Sequence, residues 1–159
     1  MDRIVANIDQ MMLDRGEGPP LEARSTRLCL QRRRYARTVV FLVRSKKMKV
    51  TSVRSMQGSL PQGARAVFVG SGAPTSFSKK EMASAGSQYF QLKELLAPVI
   101  RHPLVPTHTK VSSPPPGIKK EDLPLLLTSD PVSKYYWYEE GQVVEIDRGK
   151  YKYYRVVTA

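Results

Sequence analysis

Cys29 is the only cysteine in 159 residues. A disulfide framework and a thiolate metal cluster are thereby excluded, and a reducing, intracellular setting is the expectation. Long apolar runs are missing too. No stretch approaches the roughly 20 residues needed to cross a bilayer, and the first residues hold no continuous apolar core of the signal-peptide type. A soluble chain with no membrane partner is expected. Carboxylates are scarce, 14 against 26 Lys+Arg, leaving a net charge of +12 and a pI near 10.0. Such a balance points to a polyanion as partner. Catalytic groupings are also lacking. No Asp or Glu is followed two residues later by Lys, so the carboxylate–lysine element of metal-dependent nucleases is missing. There is no G-x-S-x-G, no G-K-[ST] after a glycine-rich turn, and no Cys or carboxylate at ligand spacing from the two histidines. No metal, no cofactor and no enzymatic activity are expected.

What is present is unevenly placed. Residues 1–120 hold 21 basic against 7 acidic residues, whereas residues 121–159 hold 5 against 7. The basic character belongs to the N-terminal part, which implies two jobs: one part meets a polyanion and the other meets protein. A hydrophobic content of 41% supports folded structure, as one domain or two small ones.

Along the chain, Ile4, Val5, Ile8, Met11 and Met12 mark one face of a helix over Met1–Leu13, with Asp2 as its N-cap. Arg24 to Arg54 contains eleven basic residues and no acidic one. Within it, Thr38–Val43 is a continuous apolar, β-branched run, read as the first strand and buried on both faces. Arg32, Arg33, Arg34 and Arg37 come just before it. Guanidinium groups so clustered suit phosphate oxygens, although a solvated face with no specific partner has the same composition. Residues 48–53 alternate loosely, as in a second strand. Ala64–Val69 reads as a further strand, followed by a glycine-rich loop through Ser76. Ser78 and Glu81 have the spacing of a capping box, and Tyr89, Leu92, Leu95 and Leu96 make a helical stripe that Pro98 ends. Ser112–Gly117 is a proline-rich linker.

The last stretch is the most informative. Leu125–Leu127 is a short apolar run of strand type. Asp130 can cap a helix with Pro131 at its first position, and Gly141 marks the turn out of it. Gln142–Ile146 and Tyr153–Val157 read as two more strands. Leu125, Tyr135, Val143, Val144 and Val156 would be shared between the module's own core and a partner. The cluster Tyr135, Tyr136, Trp137 and Tyr138 suits either base stacking or a protein-facing apolar patch, the latter being the expectation.

This block resembles the assembly module of the fifth-subunit family of eukaryotic RNA polymerases, which has a smaller archaeal counterpart. The residues that carry the resemblance are Leu123-Pro124, Asp130-Pro131-Val132, Lys134-Tyr135, Gly141-Gln142-Val143-Val144, Ile146, Arg148, and Tyr154-Arg155-Val156-Val157. The stretch His102, Leu104, Val105, Pro106 and His108 matches the family's H-x-L-V-P-x-H at the entry to that module. More loosely, Asp14-Arg15-Gly16 falls where the family has D-R-G. The family's T-P-S-A loop, close to downstream DNA, is matched with permuted order by Pro74, Thr75 and Ser76, with Phe77 added.

The resemblance implies an α+β chain. Residues 1–101 would form a jaw-like N-terminal α/β module of restriction-endonuclease-like shape, without its catalytic motif. Residues 102–159 would form a small mixed α+β assembly module, with the linker 112–117 inside it. It implies a non-catalytic polymerase subunit, one copy per complex and not a homo-oligomer. Docking on the largest subunit and neighbouring small subunits would fall to His102, Leu104, Val105, Pro106, His108, Pro124, Asp130, Pro131, Tyr135, Gly141, Val143, Arg148 and Arg155. Non-specific contact with downstream double-stranded DNA would fall to Arg32, Arg33, Arg34, Arg37, Pro74, Thr75, Ser76 and Lys79. The linker replaces a helical segment usual in eukaryotic members. Together with the diverged basic half, this suggests a polymerase encoded by a large DNA virus of eukaryotes. The expected location is the nucleus for a cellular protein, or the virion and cytoplasmic viral factory for a viral one. The alternative is a free-standing basic nucleic-acid-binding protein of ribosomal or nucleoid type.

Overall fold

Two runs of Val, Leu and Phe buried on both faces, Thr38–Val43 and Arg65–Gly70, lie at the centre of the first sheet, whereas the strands of the second are buried mainly on one face. The computed structural model describes residues 2–26, 29–43 and 47–159, and the chain divides into two compact units, Met1–Ala97 and Pro98–Ala159. Arg27, Arg44 and Lys46 of the basic stretch lie outside the described residues.

The first unit runs α1 (Asp2–Asp14), β1 (Glu22–Arg24), β2 (Cys29–Arg34), β3 (Thr38–Val43), α2 (Val50–Gly58), β4 (Arg65–Gly70), α3 (Ser76–Ser84), β5 (Gln88–Gln91) and α4 (Leu92–Leu96). The strands lie in that spatial order, β1–β2 and β2–β3 antiparallel, β3–β4 and β4–β5 parallel. All six residues of the central β3 are buried. Parallel neighbours need crossover helices, and α2 and α3 supply them. Val53 and Met56 of α2 and Met82 of α3 close over Val39, Phe41, Ala66 and Phe68 on one face, where the rings of Phe41 and Phe68 stack 5.5 Å apart. Each buried Val, Phe or Met side chain among them contributes about 1.5–3 kcal/mol. The other face carries Arg33, Val40 and Val67 in register. There α1 lies, with Ile4, Ile8, Met11 and Met12 buried and Asn7 Nδ2 donating 2.6 Å to the Leu95 carbonyl of α4.

Several expectations change. Asp2 sits inside the first turn of α1 rather than at its cap. Thr38–Val43 is preceded by two strands, β1 and β2, which the charge of their arginines hid. Residues 50–58 are helix, not strand, because Val53 and Met56, three apart, reach the same apolar cluster. Thr75, not Ser78, caps α3: its side chain accepts from the Ser78 amide, while the buried Ser78 hydroxyl donates 2.7 Å to the Met48 carbonyl. Tyr89 belongs to β5 rather than to a helix.

The second unit opens with a 3-10 turn at Val99–Arg101, then β6 (Thr107–Val111), a second 3-10 turn at Lys120–Asp122, β7 (Leu125–Leu127), α5 (Pro131–Tyr136), β8 (Val143–Asp147) and β9 (Lys152–Thr158). Its sheet has the order β6-β8-β9-β7, with β7 and β9 parallel and the other pairs antiparallel. Leu126, Tyr138, Val144, Ile146 and Val157 form the core. The proline-rich stretch 112–117 connects β6 to the second 3-10 turn. Asp130 caps α5 by accepting 2.8 Å from the Val132 amide, with Pro131 in the first turn. The helix ends on Trp137 in the left-handed region (φ 56°), earlier than Gly141. That conformation is uncommon for a bulky residue, and the Tyr138 amide bonds 2.9 Å back to Ser133 O across it. Gly141 (φ 79°) instead shapes the turn into β8.

Candidate interaction surfaces

Strand periodicity divides the three consecutive arginines of β2. Side chains alternate faces along a strand, so Arg32 and Arg34 lie on the side covered by α2 and α3, while Arg33 faces α1. Arg33 is buried. Its Nη2 donates 2.8 Å to each carboxylate oxygen of Asp9, and Tyr35 OH donates 2.6 Å to Asp9 Oδ1. Burial penalises the Arg33 charge, but the bonds to Tyr35 and Asp9 outweigh that and raise its pKa above the ordinary guanidinium range. Burial, followed by the bond to Asp9, pushes the Tyr35 phenol well above its usual value. Expected beside DNA, Arg33 is instead a structural cation already matched by a carboxylate.

Arg24, Arg32, Arg34, Arg54, Lys79 and Lys80, with Lys49 just before α2, belong to strands and helices on the α2–α3 side of the sheet, whereas Arg3 lies on α1 and Arg15 just after it. Arg24 is in register with Arg32, and Arg32 Nη2 donates 3.0 Å to Ser59 O at the end of α2. Arg34, Lys49, Lys79 and Lys80 are exposed there, and Arg54 pairs with Glu81 at 2.9 Å. That contact holds the Glu81 carboxyl below its usual range. The α1 side carries Asp2, Asp9, Asp14 and Glu17. Arg37, exposed in the turn before β3, donates its backbone amide 2.6 Å to Glu17, whose carboxylate also accepts from Thr38. Beside the cationic side, the loop after β4 is fixed by Tyr89 OH donating to the Gly72 carbonyl. A Cβ on Gly70 would meet that hydroxyl at 2.8 Å, so a side chain there would have to displace the Tyr89 hydroxyl. Pro74 is buried at the base of this loop, whereas Thr75, Ser76 and Lys79 are exposed and Phe77 is 77% exposed.

In the second unit the expected docking residues separate by exposure. Tyr135 and Val143 are buried, as is Val144, so they serve the unit's own fold. Tyr138 belongs to the core, with Tyr136 stacked on it at 5.5 Å. Tyr135 and Tyr138 are thus interior, whereas Tyr136 and Trp137 are half-buried. Burial pushes the Tyr138 phenol well above its usual range, and its hydroxyl donates 3.2 Å to His108 O. His108 Nδ1 lies 2.7 Å from Pro106 O, and His102 Nδ1 accepts from the Leu104 amide at 3.3 Å. Both histidines serve local turns. Among the described residues no group of three or more His, Cys, Asp or Glu side chains is placed to hold a metal ion, and no helix is long and apolar enough to cross a membrane. Val105, Pro106, Asp130 and Gly141 are half-buried, and His102, Pro124, Pro131 and Arg148 are exposed. The large apolar side chains left in solvent include Leu104 at 81%, Leu125 at 61% and Leu127 at 52%. Leu125 and Leu127 share one face of β7, opposite the buried Leu126.

The sequence reading missed Asp9 as the partner of Arg33 and Tyr153 as the ring under Arg148 and Arg155. Assigning a strand to residues 29–34 would have exposed the first. A hairpin register that sets Ile146 opposite Tyr153 and Val144 opposite Arg155 would have exposed the second.

Residues 115–157, inside the second unit, match the family model described as RNA polymerase Rpb5, C-terminal domain. A DNA-directed RNA polymerases I, II, and III subunit of Dictyostelium discoideum is 29% identical over 137 residues, covering 74% of this chain and 70% of the relative. The corresponding subunits of Caenorhabditis briggsae and Caenorhabditis elegans are each 26% identical over 136 residues, covering 74% of this chain and 64% of the relative. The nematode matches thus span less than two thirds of those proteins. Fold and surfaces define a two-unit α+β protein with a cationic side on the first unit and, on the second, Leu125 and Leu127 exposed on one face of a strand. The second unit is thus similar to the C-terminal domain of the fifth-subunit family of RNA polymerases, and the polymerase-subunit relatives extend the similarity over 74% of the chain.

Proposed function

We propose that the chain is a non-catalytic subunit of a multisubunit DNA-directed RNA polymerase, with its second unit docked on the largest subunit and its first unit beside downstream DNA. The observation that carries this reading is the coincidence of the family match with the less basic unit, which leaves the cationic side on the other. Leu104, Leu125 and Leu127, with Pro124 and Pro131 beside them in sequence, are the outward residues for docking. Exposed leucines of this size stabilise an association only when a partner removes them from water. On the first unit, Arg32, Arg34, Arg37 and Lys79 with Thr75 and Ser76 would meet phosphates without reading sequence, and with salt-dependent affinity. Pro74, being buried, shapes the loop.

A nuclear location follows for a cellular member. The diverged basic half and proline-rich linker fit a viral polymerase, in which case the chain would co-fractionate with polymerase in virions. The double variant L125D/L127D tests docking: its fold, read by circular dichroism, should be retained because both side chains are exposed. Its co-purification with the largest polymerase subunit should fall at least about tenfold. Undiminished co-purification would sink the role given to this face.

A further inference from the structure

The hairpin between β8 and β9 carries a charge of its own. Residues 121–147 hold seven carboxylates and one lysine, whereas residues 148–155 hold Arg148, Lys150, Lys152 and Arg155 and no carboxylate. Lys152 is taken up on one sheet face, 2.8 Å from Glu145 and 3.7 Å from Asp147, with Tyr154 OH also donating 2.6 Å to Glu145. The opposite face, by register, holds the core residues Val144, Ile146 and Val157 and, at the margin of that core, Tyr153, Arg155 and Lys110. There the guanidinium carbons of Arg148 and Arg155 lie 5.7 and 5.8 Å from the Tyr153 ring centroid, and Arg148 Nε donates 3.3 Å to Tyr153 OH. Among the described residues, Arg155 makes one side-chain hydrogen bond, Nη1 to Leu125 O at 3.1 Å, and its Nε is buried with no partner. Strand alternation keeps Glu145 and Asp147 on the other face from Arg155. Two arginines therefore share one ring with no carboxylate to offset them.

We propose that Arg148, Tyr153 and Arg155 form a clamp for a carboxylate side chain on an acidic peptide segment of a partner protein. Guanidinium groups pair bidentately with carboxylates, and the ring holds both at reduced entropic cost. An acidic peptide fits better than nucleic acid. The carboxylates of residues 121–147 repel an extended polyanion, while one short segment can reach the tip. The ring itself already carries the guanidinium groups and is not open to a base. The proposal rests on the docking reading and names the chemistry of its partner.

The test uses the full chain and site-resolved nuclear magnetic resonance, because acidic probes will also collect on the basic unit. An acetylated, amidated hexaglutamate peptide is titrated at physiological salt, with hexaglutamine and a short DNA duplex as comparisons. Arginine Nε–Hε signals are assigned with R148K and R155K. Hexaglutamate is expected to shift the Arg148 and Arg155 signals and the Tyr151–Tyr153 amides saturably, and hexaglutamine is not. In R148Q/R155Q the Kd read from those amides should rise about tenfold or more. Shifts confined to residues 1–97, amide shifts unchanged in the double variant, or stronger shifts from duplex DNA would each overturn the clamp. Docking is read separately, by co-purification with the large polymerase chains. Its loss in the wild type would sink the docking reading, whereas retention in R148Q/R155Q with no peptide effect would sink only the clamp.

Discussion

Arg32, Arg33 and Arg34 are identical in chemistry and adjacent in sequence, yet the pleat of β2 gives them different work. Arg33 is spent on Asp9 beneath α1, while Arg32 and Arg34 remain on the cationic side. Removing Asp9 would leave a buried guanidinium with no matching charge, which costs more than a lost hydrogen bond between neutral groups. D9A should lower unfolding stability by about 2–3 kcal/mol in urea denaturation, a partial figure because Asp9 keeps some solvent. R33M should cost less, since it removes the stranded charge as well. The same division predicts DNA behaviour. R32Q and R34Q should each reduce the slope of log affinity against log salt by up to about 0.9, and R33M should leave it unchanged. An equal fall for all three would show that the alternation does not govern contact.

At the level of elements, what could be read in the chain depended on whether an element's identity lay in its own residues. The central strand Thr38–Val43 and the cap-and-proline start of α5 were legible because burial on both faces and capping each leave a local signature. Strands β1 and β2 and helix α2 were not. Their arginines, and the few apolar residues of α2, acquire meaning only from the sheet they pack on. The glycine-rich loop after β4 is a case where structure explains a residue choice. Gly70 leaves room for Tyr89 OH, which holds the Gly72 carbonyl. G70A should destabilise by about 1–3 kcal/mol through that clash. In a Y89F background, with the hydroxyl gone, the same substitution should cost markedly less. Thermal unfolding of the four-member cycle reads the coupling, and simple additivity would mean the hydroxyl is not what excludes a side chain there.

Over the whole molecule, charge and fold divide together. The first unit holds the cationic side, and the second holds the family match, the exposed pair Leu125 and Leu127 on one strand face, and a cationic hairpin. A basic protein acting alone on nucleic acid would have no use for the second set of features. The central claim is that this chain is held in a polymerase by protein contacts. Affinity purification of the tagged chain at moderate and then high salt, with nuclease added and mass spectrometry as readout, tests it most directly. The account predicts that two very large polymerase polypeptides stay bound after nucleic acid is destroyed and salt is raised, because exposed apolar docking is little screened. Recovery of nucleic acid and its general binders alone, lost on nuclease treatment, would contradict it.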